Sequence, residues 1–246
     1  MTAQHHPTAP NDPLRVYAAH YPDVVRSGSL RDALQGESDR GGHGLTVELT
    51  PSPGWRHSAA TVAAEGRSAM AHMALEVRSF SVDCWSGGIR MATGSTDDLS
   101  AVAGAMSTWL RASRVRDLVT EWPLMRTWEL AEAHERGEAV PTRWRQLREA
   151  TGRPQDSALH QLVEAAFAQP ALRALSPGRS TYWLTFSRRA APPICHDLPR
   201  VRPLRSGGYL IACADGRQQE TNEAAEAVAL IVAALPDDVR RGPEGP

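Results

Sequence analysis

Apolar positions along this chain change period several times, and the changes mark out its elements. From Pro13 to about residue 35, Leu14, Ala18, Val25, Leu30 and Leu34 recur at helical spacing. Pro13 suits a first helical turn, and Pro22 is expected to break the segment in two. Gly36 to Gly44 reads as a loop. At Leu45 the period becomes two: Leu45, Val47 and Leu49 alternate with Thr46, Glu48 and Thr50 until Pro51 and Pro53 stop the strand. A longer extended stretch runs from about Met70 to Trp85. Its apolar face shifts from Met73, Leu75 and Val77 to Phe80, Val82 and Cys84, which requires a bulge or two separate strands. Gly87-Gly88 then turns the chain into Ile89–Ala92.

Helical spacing returns at Leu99, Val102, Ala103, Met106 and Leu110, with Ser95 or Thr96 as the expected cap and Asp97 and Asp98 at the positive end. Three further helical segments are predicted: 115–136, interrupted near Pro123; 141–150; and Asp156 to Gln169. The last carries Leu159, Leu162, Val163, Ala166 and Phe167 on one stripe and ends at Pro170. Thr181–Arg188 alternates as a strand, a long connection follows, and Tyr209–Cys213 is a second strand. The final helix, capped near Thr221 or Asn222, carries Ala224, Ala227, Val228, Ile231 and Leu235 and stops at Pro236.

This order predicts an α+β fold, with antiparallel strands, covering helices and a helical middle segment. Strands and helices do not alternate strictly enough for a doubly wound sheet. The expected organisation is a disordered tail over 1–12, a single α+β domain over 13–235 and a loose tail over 236–246. Within the domain, two strand-plus-helix halves, 13–113 and 179–235, flank the helical segment 114–170.

Composition narrows the chemistry. All 27 basic residues are arginine. No Schiff-base lysine, P-loop lysine or kinase-type strand lysine can exist here. Guanidinium is permanently charged and planar, so cationic sites are expected to hold anions instead of exchanging protons. The net charge of −1 argues against general binding to nucleic acid or an anionic membrane. The sequence has no apolar run of membrane-spanning length and no signal-peptide order near its start. Three cysteines, Cys84, Cys195 and Cys213, with no CxxC, suit reduced thiols in a cytoplasmic protein.

The leading functional candidate is the connection Arg188–Ser206. It holds Arg188, Arg189, Arg200, Arg202 and Arg205 against the single acid Asp197, and Pro192, Pro193, Pro199 and Pro203 stiffen it. Such a segment is suited to clamping a phosphate, a carboxylate or an acidic peptide. The bland alternative is a solvated connection whose arginines pair with nearby acids. Cys195-His196-Asp197 lies inside it, but neighbours in an extended loop point apart, which argues against a thiol nucleophile.

In the segment Trp122–Trp144, Glu129, Glu132 and Glu135 share one helical side with His134 elsewhere. HERGE lacks the second histidine of a zinc HExxH, so no metal site is expected. This acidic face is expected to pair with Arg126, Arg136 and Arg143, or to dock the arginine-rich connection. His57, His72 and His160 are isolated. There is no GxSxG or GxGxxG, and no cofactor is called for.

SVDCWSGGIRMATGSTDDLSAVAGAMSTWL, AEAHERGEAVPTRW, LVEAAFAQPALRAL, STYWLTFSRR and GGYLIACADG with AAEAVALIVAALP occur in that order between Phe80 and Pro236. This stretch resembles a family of actinobacterial proteins of unknown function labelled as natural-product-biosynthesis proteins. The resemblance implies a bacterial cytoplasmic context and supplies no catalytic residues. The expected role is an accessory or interaction protein recognising an acidic peptide, carrier or protein partner. A small-molecule tailoring enzyme, with its pocket between sheet and helices, is the alternative.

Overall fold

The computed structural model describes residues 13–111 and 114–240; the expected disordered tail at 1–12 and the end of the C-terminal tail, 241–246, lie outside the described residues. The fold is α+β with two antiparallel sheets. The chain divides into two compact units, Met1–Glu132 and Ala133–Pro246, each with its own hydrophobic core.

The first unit begins with α1 (Pro22–Ser27) and α2 (Leu30–Gly41). Pro22 opens α1 instead of breaking a helix, because its fixed φ and missing N–H suit the first helical position. The break falls at Gly28, in the left-handed region (φ 85), and the helix restarts at Ser29, whose hydroxyl accepts from the Asp32 N–H at 3.0 Å. The segment read as a loop from Gly36 is helical as far as Gly41. Side chains of α2 then capture the chain that follows. Ser38 accepts from the Leu45 N–H, and Gln35 donates to the Leu45 carbonyl and accepts from the Val47 N–H, each at 3.0 Å. Residues 45–47 therefore do not form a ladder, and β1 is limited to Glu48–Leu49.

β1 begins a six-stranded meander that continues through β2 (Ala59–Ala64), β3 (Arg67–Met73), β4 (Phe80–Ser86), β5 (Ile89–Thr96) and β6 (Met125–Arg126). The phase flip between Met73 and Phe80 resolves into two strands, paired from Met73↔Phe80 to Arg67↔Ser86. One sheet face carries Val62, Ala71, Phe80, Val82 and Cys84 into the core, where α3 (Leu99–Leu110) packs on it. Asp98 caps α3, accepting from the Ser100 N–H at 2.9 Å, while Thr96 stays in β5. Trp109 is fully buried and donates to the Ser68 carbonyl at 3.0 Å. The predicted segment 115–136 splits into α4 (Val115–Glu121), β6 and α5 (Glu129–Glu135).

The second unit holds α6 (Ala139–Thr151), α7 (Ser157–Ala168), α8 (Pro170–Arg173), β7 (Ser176–Ser180), β8 (Trp183–Ser187), β9 (Arg200–Pro203), β10 (Tyr209–Ala212), β11 (Gln218–Thr221), α9 (Ala224–Ala233) and α10 (Asp237–Arg240). Its five strands order as β11-β10-β9-β8-β7. Leu184, Val201 and Ile211 pair side by side across the three central strands and enter one core with Leu162, Val163, Val228 and Ile231 of α7 and α9. Pro170 ends α7 as expected and also opens α8. Glu223 occupies the cap position of α9, while Thr221 is the last residue of β11.

Candidate functional site

The expected loop Arg188–Ser206 contains a strand. Within Arg-Val-Arg-Pro, Val201 is fully buried and registers against Leu184 on β8 and Ile211 on β10. A period of two then turns Arg200 and Arg202 to the opposite face, away from the helix-packed core. Both guanidinium groups lie over the indole of Trp183 on β8, their central carbons 4.6 Å and 5.2 Å from the ring centroid. Such stacking restrains the guanidinium planes. Among the described residues neither arginine has a carboxylate partner, and the Nε of Arg202 is buried with no acceptor.

The other three arginines of the segment are not gathered with this pair. Arg188 bridges Asp197 and Asp238 of α10, and the contact holds the Asp238 carboxyl below its ordinary range. Arg189 is exposed where β8 ends. Arg205 is exposed in the turn that Gly207 and Gly208, both in the left-handed region, close between β9 and β10. The predicted cluster therefore reduces to Arg200 and Arg202, with Trp183 as the platform that the sequence did not single out.

A cleft of about 280 Å³ adjoins Arg200 where β8 ends, β9 begins and β10 ends. Phe186, Leu198, Ala212 and Ala214 supply apolar wall, and Thr185, His196 and Arg200 supply polar groups. The space between the sheet and α9, lined by Ile211, Leu230 and Ala234 among others, holds only about 130 Å³. Cys195, His196 and Asp197 do not form a relay. The Cys195 thiol faces the Pro193 carbonyl at 4.0 Å, Asp197 is taken by Arg188, and His196 turns to the cleft.

The acidic side of α5 departs from the expectation at Arg143. Glu132 pairs with Arg116 of α4. Arg143 of α6 points elsewhere, donating to the Ser176 hydroxyl at 3.2 Å and the Ala190 carbonyl at 2.8 Å, so it ties the start of the arginine-bearing segment to β7 and α6. Burial lowers the pKa of Arg143, and burial together with the Arg143 charge lowers that of His134. Among the described residues no three His, Cys, Asp or Glu side chains gather as a metal ion would need. No described helix is long and apolar enough to cross a membrane.

Residues 138–245 match DUF6193, a family of unknown function. The match contains the whole arginine-bearing segment, Trp183 and the cleft. No curated protein and no solved structure matches the chain.

Proposed function

We propose that this chain is a binding protein that recognises an acidic ligand or partner through Arg200 and Arg202. The observation that carries the proposal is the pair of guanidinium groups stacked on Trp183 with no carboxylate between them. Charged groups held in place without a counter-ion are suited to an external anion, because the cost of ordering them is met on folding. The adjoining cleft supports the same reading by giving such a ligand an apolar foothold. A role as an accessory protein of bacterial natural-product biosynthesis is proposed on the resemblance over Phe80–Pro236. A cytoplasmic setting is proposed on that resemblance and on three unpaired cysteines.

Salt-reversible binding of poly-glutamate to the purified chain tests the proposal. Wild type is expected to bind, and a double variant Arg200→Ala, Arg202→Ala with an unchanged circular dichroism spectrum is expected not to. Equal binding by both proteins would refute it, as would an absence of binding by wild type.

A further inference from the structure

We infer that the surface of β9 reads an extended acidic peptide in which two acidic residues alternate with a third, apolar position: acid-x-acid-x-apolar, in either chain direction. The inference rests on the anion-binding reading of Arg200 and Arg202 and specifies its ligand.

Three observations lead to it. The first is position. β9 lies between β8 and β10, with its backbone engaged on both sides. A partner therefore cannot extend the ladder there and must meet the side chains of the outer face. The second is spacing. Arg200 and Arg202 are two residues apart on one strand, so their side chains leave the sheet about 7 Å apart. Alternate side chains of an extended peptide share that repeat, so carboxylates at i and i+2 face the strand together and can each meet one arginine. Acids at adjacent positions point to opposite sides of an extended peptide, so only one of them can be engaged.

The third observation is the cleft. It adjoins Arg200 at the start of β9, with Leu198, Ala212 and Ala214 in its wall. Its volume of about 280 Å³ falls just below the roughly 300–1,000 Å³ of pockets that enclose whole small ligands. It suits a single apolar side chain. A single-stranded nucleic acid also repeats its charge along an extended chain, but it fits the surface less well. The face of Trp183 that would stack a base is occupied by the guanidinium groups.

The test is fluorescence polarisation with three labelled probes and the full chain. One peptide contains Glu-Ala-Glu-Ala-Leu, its isomer contains Glu-Glu-Ala-Ala-Leu, and the third probe is an oligothymidylate of equal charge. The alternating peptide is expected to bind about fivefold tighter than its isomer, the worth of one further exposed ion pair. Changing its Leu to Gly is expected to weaken it further. This comparison is made on the wild-type chain, so it does not depend on any variant folding. If both isomers bind equally and both are lost with Arg200→Gln, Arg202→Gln, the alternating motif is overturned while the anion-binding reading stands. Tighter binding of the oligothymidylate overturns the peptide as the ligand. If no probe binds, both readings fail.

Discussion

Gly104→Ala is expected to destabilise the first unit, although Gly to Ala inside a helix ordinarily stabilises. Gly104 lies within α3, where Ala is favoured by about 1 kcal/mol on propensity alone. A Cβ built there meets the Trp122 ring at 2.2 Å and 2.4 Å, whereas unstrained carbon contacts need about 3.5–4.0 Å. The indole must retreat by more than an ångström. It is held by a hydrogen bond from its Nε1 to the Thr108 hydroxyl at 3.0 Å, and Thr108 in turn donates to Glu121 at 3.0 Å. Overpacking of this kind costs about 1–3 kcal/mol, and loss of the indole hydrogen bond adds about 1 kcal/mol. With the propensity gain offset, the net loss is about 2 kcal/mol. Urea unfolding followed by circular dichroism measures it. In a Trp122→Ala background the ring is gone, and Gly104→Ala should change sign and stabilise. A stabilising effect beside an intact Trp122, or an equal loss in both backgrounds, would refute the reasoning.

Two further outcomes follow from burial. Cys84 is fully buried in the first core, which pushes its thiol up to about 12, while Cys195 and Cys213 are partly exposed. A thiol-exchange reagent at mildly alkaline pH should therefore modify two thiols in the folded chain and the third only in denaturant; Cys84 reacting with the others would contradict the packing of β4. His134 has a folded-state pKa below its ordinary 6.5 through burial and the Arg143 charge, so the unfolded chain takes up the proton first. Its contribution to stability is complete above about pH 6.5 and is lost as pH falls through the lowered folded value. His134→Gln should flatten the stability profile between pH 7 and 5, and an unchanged slope would remove this residue as its source.

Long helices and alternating strands were legible in the sequence because each writes its own period. Leu159 to Phe167 marked α7 and Tyr209–Cys213 marked β10 to within a residue or two. Weakly contrasted strands were not legible. β2 is Ala-Ala-Thr-Val-Ala-Ala, and β11 is Gln-Gln-Glu-Thr, with three of its four residues exposed. Both are held by neighbours in the sheet and not by a pattern of their own. At Leu45–Val47 the alternation was real, yet side chains of α2 took the backbone groups a strand would have used. For the site, composition located the arginines but treated them as one loop. Two signals separate them: the period-two Arg-Val-Arg, which marks a strand, and the Trp183 that alternation places on the outer face of β8. No sequence signal announced that Arg188 would be neutralised by Asp238, fifty residues away, or that Arg143 would anchor Ala190.

The turn after α5 bears on how such a chain is assembled in evolution. Ala131 is the last buried residue of the first core, and Trp144 is the first of the second. Gly137 lies between them in the left-handed region (φ 75), and the family match starts at the next residue, 138. A recombination crossover at that glycine leaves both hydrophobic cores whole. The second core and the strands and helices around it can thus be joined to a different preceding sequence without repacking its interior.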